Sequence, residues 1–176
     1  RLRSRGLGDV YKRQVPDSTV RRAVGEFARC AGALGMMGGQ HYDLCEKPET
    51  YDELVRLHRM KTGALIAASC LNGYYAAEPE PSEEICRDLR KYAYALGLAF
   101  QITDDILDVT SDEQTLGKPI GSDEENGKVT SLTFLSLEEA SNEAERVTEE
   151  AISAIKKYPS SEALCDLAKY LRSRSF

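Results

Sequence analysis

The chain has 176 residues, 41% of them apolar, and a formal net charge of −6. That length suits one compact domain with its own core, and no apolar run approaches the ~18 residues that a membrane span needs. The negative charge argues against nucleic acid as the main partner, because proteins that bind the phosphate backbone carry a basic surface. It still permits a small phosphorylated ligand held by a few local cations.

The chain has five cysteines and two histidines, whose number and spacing indicate the redox state of the compartment and whether a zinc site is possible. The cysteine number is odd, no pair has Cys-x-x-Cys spacing, and neither histidine lies at ligand spacing from a cysteine. We therefore expect reduced thiols in a cytoplasmic protein and no zinc site. We interpret His41 and His58 as structural or surface residues, since neither has an obvious base or nucleophile as a partner.

The beginning of the chain differs from the rest. Residues 1–14 are basic and lack helical or strand periodicity, and the run from Asp9 to Gln14 resembles a translated sequencing adapter. We interpret this segment as non-native and residues 15–176 as part of a single domain. A flexible basic arm is the alternative interpretation of the same residues.

From Pro16 onward the sequence predicts helices almost throughout. The entry Pro16-Asp17-Ser18 supplies N-cap chemistry for a first amphipathic helix. The apolar face of this helix consists of Val20, Val24, Phe27, Ala31 and Leu34. We expect Gly38-Gly39 to end this helix, because glycine commonly terminates helices.

Thr50 and Glu53 form a capping-box signature for a second helix, expected from about Tyr51 to about Tyr75. One side of it carries Leu54, Leu57, Lys61, Leu65 and Ser69, and Lys61-Thr62-Gly63 interrupts it. Two prolines then break the chain. Ser82 caps a long third helix that reaches at least Asp108.

A lysine-containing loop with several glycines comes next, and two more helices follow it. The first has a face of Ala140, Ala144, Val147, Ala151 and Ile155 and stops before Pro159; the second, shorter one carries Leu164, Leu167, Ala168 and Leu171. No alternating strand pattern and no internal repeat occurs in the sequence. The predicted fold class is all-α, a bundle of long helices.

Three aspartates, Asp104, Asp105 and Asp108, follow the most apolar part of the third helix. Helical spacing places them in one wedge, where unpaired carboxylates would be destabilised or protonated. A hard divalent cation resolves that problem, and magnesium suits one or two carboxylates completed by water and phosphate oxygens. A solvated acidic helix end is the alternative. The EF-hand loop pattern and the Glu-x-x-His pair of di-iron bundles do not occur.

Lysines elsewhere in the chain could complement the aspartates. Lys61 lies on the inward stripe and would need an anionic partner, although a lysine that extends to solvent from a helix edge gives the same pattern. Lys118 and Lys128 lie in the glycine-containing loop, which either covers a phosphorylated ligand or is an ordinary surface loop. Gln101 precedes Asp104 by one turn and places a neutral dipole beside the site, or makes a core hydrogen bond.

Five motifs occur in order from about Val20 to the C-terminus. They are Gly38-Gly39-Gln40 with Asp43-Leu44, His58-Arg59-Met60-Lys61-Thr62-Gly63, Phe100-Gln101-Ile102-Thr103-Asp104-Asp105-Ile106-Leu107-Asp108, Leu116-Gly117-Lys118, and Asn126-Gly127-Lys128. This ordered set resembles the bacterial farnesyl/geranylgeranyl diphosphate synthases of the trans-isoprenyl diphosphate synthase family.

The resemblance implies an isoprenoid synthase-type bundle and a homodimeric, magnesium-dependent prenyltransferase. The enzyme would condense isopentenyl diphosphate with an allylic diphosphate, giving farnesyl diphosphate or, alternatively, geranylgeranyl diphosphate. By resemblance, Mg²⁺ is held by Asp104, Asp105 and Asp108, and the diphosphate is bound by Lys61, Lys118 and Lys128. Lys61, Thr62 and Gln101 are the implied catalytic residues, the last two lining the path of the allylic cation.

The chain departs from the family in one respect. The family has a first aspartate-rich motif on an earlier helix, with basic residues for isopentenyl diphosphate, and neither is found here. We therefore expect that N-terminal helices are missing, that the full-length parent is an enzyme, and that this fragment alone is inactive. A non-catalytic regulatory subunit of a heteromeric prenyl synthase and a class I terpene cyclase are the other interpretations.

Overall fold

The computed structural model describes residues 16–110 and 128–173, and every regular element within these ranges is a helix. In chain order they are α1 (Asp17–Ala31), α2 (Met36–Cys45), α3 (Tyr51–His58), a π-helical turn (Arg59–Gly63), α4 (Ala64–Ala77), α5 (Glu83–Thr110), a 3-10 turn (Ser131–Thr133), α6 (Leu137–Ile155) and α7 (Glu162–Ser173). The prediction of an all-α fold is confirmed. Residues 1–14 and Lys118 lie outside the described ranges. None of the described helices is long and apolar enough to cross a membrane.

The long helix α5 organises the core. It packs against α4, α6 and α7, and α1 packs against α4. In its first half, Tyr92 and Leu96 are 0% and 2% exposed and lie in one apolar cluster with Leu71 of α4 and Ile155 of α6. The Tyr92 hydroxyl donates a hydrogen bond to the Leu164 carbonyl oxygen at 2.8 Å, which ties α7 to the same cluster.

A second apolar cluster holds the end of α5 against the start of α6. Its buried members are Leu98, Ala99, Ile102, Ala140, Ala144 and Val147. All five residues predicted as the buried face of α6 are buried, so that prediction is confirmed. This packing fixes the last turns of α5, where the aspartates lie.

The first helix ends earlier than predicted. α1 stops at Ala31, and Gly38-Gly39 lies inside α2 rather than at a helix end. A Cβ atom on Gly38 would lie 1.9 Å from the carbonyl oxygen of Ala33, and one on Gly39 would lie 2.4 Å from the backbone nitrogen of Lys61. These glycines therefore permit close backbone packing. Pro16, the first residue of the predicted entry, is the N-cap residue, but no side chain of the described residues caps the helix.

The apolar face predicted for α1 is largely exposed. Exposure is 44% for Val20, 61% for Val24, 54% for Phe27 and 78% for Leu34, which lies just beyond the helix. The buried residues of α1 are instead Thr19, Glu26 and Cys30. An amphipathic pattern identifies an apolar face, but it does not say whether another helix of the same chain covers that face.

Candidate functional site

The π-helical turn Arg59–Gly63 joins α3 to α4, where the sequence predicted an interruption. The wider turn shifts the register of the helix, and such turns are frequent at functional sites. Before it, the predicted inward residues Leu54 and Leu57 are each 1% exposed. After it, Ser69 of the predicted stripe is exposed, and alanines of α4 occupy the buried positions.

Two close glycine contacts hold this turn. Gly39 of α2 lies against the backbone of Lys61, and Gly97 of α5 lies against Gly63, where an added Cβ would be 2.7 Å from the Cα atom. A side chain at either position would collide with backbone atoms. The two helices can approach the turn this closely only because both positions are glycine.

Two side chains of the turn reach polar partners on these helices. The Lys61 ammonium donates to the Asp43 carboxylate of α2, with Nζ and Oδ2 2.6 Å apart. The Thr62 hydroxyl donates to Oε1 of Gln101 on α5 at 2.5 Å. The Lys61 and Asp43 side chains are 27% and 19% exposed, so the ion pair is partly buried. Of the predicted residues, Thr62 thus contacts Gln101, whereas Lys61 reaches Asp43 on a different helix. Asp43 was part of a sequence motif but was not predicted as a site residue.

The aspartates lie one turn beyond Gln101 at the end of α5. Asp105 and Asp108 are each 3% exposed, whereas Asp104 is partly exposed. The Asp105 carboxylate accepts a hydrogen bond from the backbone N–H of Ser131 at 2.7 Å. Burial raises the pKa of Asp105, opposed by this hydrogen bond and by the positive charge of Lys128. Two of the three carboxylates are therefore buried, unlike those of a solvated helix end.

A small cavity of about 210 Å³ adjoins the buried carboxylates. It is lined by Asp105, Asp108, Val109, Lys128, Thr130, Leu132 and Thr133. The structure therefore places Lys128, predicted from its loop, beside two of the three predicted aspartates. At such a cavity the lysine can bind the oxygens of a phosphate, and the two carboxylates can bind a metal ion.

The aspartates do not form a ready-made cage. Within residues 16–110 and 128–173, no three histidine, cysteine or acidic side chains converge where they could hold a metal ion. The oxygen donors still suit magnesium, which usually takes one or two carboxylates and completes its shell with water and phosphate. The ligand set Asp104, Asp105 and Asp108 stays a prediction.

His58 is more deeply placed than a surface residue. Its side chain is 4% exposed, and Nδ1 has no hydrogen-bond partner among the described residues. Burial lowers the pKa of His58 to about 4, and the charges of Lys128 and Lys61 act in the same direction. The imidazole is therefore neutral and lies within electrostatic reach of both lysines. Its position four residues after buried Leu54 was the sequence signal for this burial.

Comparisons with known proteins point to one family. The sequence profile described as polyprenyl synthetase matches residues 17–170. Farnesyl diphosphate synthase of Escherichia coli (strain K12) is 38% identical over 175 residues, which cover 96% of this chain and 58% of that protein.

Solved structures give the same result. Geranylgeranyl pyrophosphate synthetase from Pyrococcus horikoshii superposes with a TM-score of 0.80 at 26% identity, covering 92% of this chain and 61% of that one. Geranyltransferase from Helicobacter pylori, solved with magnesium and isoprenyl diphosphate, superposes with a TM-score of 0.71 at 28% identity. The match covers 89% of this chain and 52% of that one. The chain thus spans between 52% and 61% of the length of these relatives.

Proposed function

The chain belongs to the polyprenyl synthetase family, and from this premise we propose that its protein is a short-chain trans-prenyltransferase. It condenses isopentenyl diphosphate with an allylic diphosphate. Farnesyl diphosphate is the product we propose first, with geranylgeranyl diphosphate as the alternative. The observation that supports this best is the π-helical turn, whose Thr62 hydroxyl bonds Gln101, one helical turn before Asp104, and which also carries Lys61.

The lysines supply the first part of the mechanism. Lys61 and Lys128, with Lys118 from the sequence between α5 and Lys128, bind the diphosphate of the allylic substrate. When the carbon–oxygen bond breaks, the electron pair leaves with the diphosphate, and the ammonium groups stabilise the charge that develops there. Their effect is large because the site is partly withdrawn from water.

The aspartates supply the second part. We propose that Asp104 and Asp108, with Asp105, hold Mg²⁺, which when bound adds positive charge against the diphosphate oxygens. The geranyltransferase from Helicobacter pylori was solved with magnesium and isoprenyl diphosphate. In this chain the hydrogen bond from the Ser131 N–H to Asp105 joins the end of α5 to residues 128–131, so it also keeps Lys128 near the aspartates.

The Thr62–Gln101 pair supplies the third part. The Thr62 hydroxyl hydrogen is directed to Gln101, so the Thr62 oxygen presents its lone pairs elsewhere. Neutral oxygen dipoles stabilise an allylic cation without capturing it as a carboxylate would. The isopentenyl double bond then attacks the cation, a carbon–carbon bond forms, and a proton is lost.

The chain alone covers only part of this chemistry. The Asp-Asp-x-x-Asp pattern occurs once in the 176 residues, and we propose that the residues for isopentenyl diphosphate belong to the remainder of the protein. Assayed by itself, the 176-residue chain should form no prenyl product. Product formation by this chain would contradict that part of the proposal.

A homodimer is the assembly that we propose. The exposed face of α1 carries Val20, Val24 and Phe27 at helical spacing, and a second copy would bury it. Phe27→Glu should shift the mass in sedimentation equilibrium from dimer to monomer. Tyr170→Glu, at a residue that is 67% exposed on α7, is the control and should leave the mass unchanged. A monomeric wild type or a dimeric Phe27→Glu variant would refute this assembly.

The activity is tested by product formation from isopentenyl and geranyl diphosphates with Mg²⁺, using the protein with its native N-terminus. Asp104→Ala should lower kcat/KM by roughly a thousandfold, the scale of losing a charge-stabilising group. Asp166→Ala, at a residue 66% exposed on α7, is the matched control and should retain turnover. Near-normal turnover by Asp104→Ala would exclude the metal assignment. An inactive wild type would favour the regulatory subunit.

A further inference from the structure

One ion pair in the site has no part in the mechanism above. Asp43 pairs with Lys61 at 2.6 Å, and an anion beside a diphosphate-binding lysine repels the ligand. We propose that Asp43 is a positioning residue, which orients the Lys61 ammonium so that it is ready to receive a diphosphate. This inference rests on the proposed function, because it concerns the same site.

The geometry of α2 supports this role. Gly39 and Asp43 are four residues apart and therefore share one face of the helix. Gly39 lies against the backbone of Lys61, and Asp43 bonds the end of the same side chain. Both ends of Lys61 are therefore fixed by a single helix, and the contact at Gly39 leaves no space for the helix to move closer.

The number of protons on the ammonium removes the apparent conflict. A protonated lysine has three N–H groups that donate hydrogen bonds, and it accepts no hydrogen bond. Asp43 is the carboxylate that pairs with Lys61 among the described residues. With one N–H directed to Asp43, two can be directed to diphosphate oxygens, so the two anions share the ammonium.

Fixing the lysine in advance should favour binding. A free lysine side chain has many rotamers, and ordering it on ligand binding weakens affinity. Asp43 imposes that order before the ligand arrives. The opposing effect, repulsion between Asp43 and the diphosphate, is reduced because the paired lysine neutralises the carboxylate.

The experiment is a double-mutant cycle on the protein with its native N-terminus. Affinity for inorganic pyrophosphate in excess Mg²⁺ is measured by titration calorimetry for wild type, Asp43→Ala, Lys61→Met and the double variant. Asp43→Ala should weaken binding about fivefold, the effect of ordering one long side chain. In the Lys61→Met background it should have no effect, because Asp43 acts through Lys61.

Two further variants keep the result interpretable. Glu46→Ala removes the same charge from the exposed end of α2 and should leave affinity unchanged. Asp43→Asn retains the shape of the side chain and replaces Asp43→Ala in the cycle if that variant fails to fold. It should also weaken pyrophosphate binding. Tighter binding by the Asp43 variants, or equal weakening in both Lys61 backgrounds, would overturn the positioning role alone. No binding by wild type would overturn the proposed diphosphate site as well.

Discussion

The two halves of α5 are buried to a similar degree but are filled differently. In the first half, Tyr92 and Leu96 are 0% and 2% exposed and pack among apolar side chains. Near the end, Asp105 and Asp108 are each 3% exposed. Burying a leucine side chain stabilises the folded state, whereas burying a carboxylate destabilises it unless the carboxylate is paired. The first half of α5 therefore contributes apolar packing, whereas the second half combines apolar packing, through Leu98, Ala99 and Ile102, with buried carboxylates that are suited to binding.

The same contrast extends to the neighbours of α5. The first half contacts apolar residues of α4, α6 and α7. The second half meets Thr62 through Gln101, Ser131 through Asp105, and a cavity that Lys128 also lines. Polar groups from distant parts of the sequence therefore meet at one end of the helix. The following predictions test this division.

The largest effect on stability should come from the apolar half. Leu96→Ala should lower the free energy of unfolding by about 2–5 kcal/mol, because it leaves a cavity in a closed core. Asp105→Asn should change it by less than about 1 kcal/mol, since the amide oxygen can still accept the Ser131 N–H and no charge is buried. Urea unfolding of both variants is the measurement, and an equally damaging Asp105→Asn would remove the contrast.

A buried histidine beside the polar half of α5, His58 of α3, should make the protein sensitive to acid. Burial lowers the pKa of His58 to about 4, below the ordinary value of about 6.5 in the unfolded chain. The unfolded state therefore binds more protons between these two values, so stability falls as pH drops through that window. His58 should account for a loss of about 3 kcal/mol.

Urea unfolding between pH 7 and pH 4 tests this prediction. His58→Gln should unfold with a shallower pH dependence than wild type, whereas the exposed His41→Gln control should follow wild type. The same slope for His58→Gln and wild type would mean that His58 is not the group responsible.

A smaller effect should come from the glycine contact that joins the halves to the π-helical turn. Gly97→Ala should destabilise the protein by about 1–3 kcal/mol, because the new methyl group meets the backbone of Gly63. Gly73→Ala is the matched control. Nothing lies within 4 Å of an added Cβ there, so alanine should stabilise α4 by about 0.5–1 kcal/mol. Thermal unfolding of both variants is the measurement. Equal changes in Tm for Gly97→Ala and Gly73→Ala would show that the contact between Gly97 and Gly63 is not tight.

Helix periodicity predicted the fold class and most helices, because buried faces such as that of α6 repeat along the sequence. Periodicity did not predict features that depend on tertiary contacts, such as the end of the first helix and the exposure of its apolar face. Gly38-Gly39 is a termination signal locally, but here it permits packing on Lys61. The α1 face was correctly identified as apolar, yet the described part of the chain leaves it largely exposed.

Within the site, the sequence identified residues but not their pairings. Thr62 and Gln101 were both predicted, and their hydrogen bond joins positions 39 residues apart. Asp43 and Ser131 were missed as partners because no local spacing relates them to Lys61 and Asp105. A carboxylate and a backbone N–H become partners only once the helices have packed.

The central claim is that the polar end of α5 binds diphosphate through magnesium. The most direct test is titration of the chain with inorganic pyrophosphate, with and without Mg²⁺, for wild type and Asp104→Ala. We predict that wild type binds pyrophosphate only when Mg²⁺ is present and that Asp104→Ala does not bind it under either condition. Equal affinity with and without Mg²⁺, or unchanged binding by Asp104→Ala, would contradict the claim.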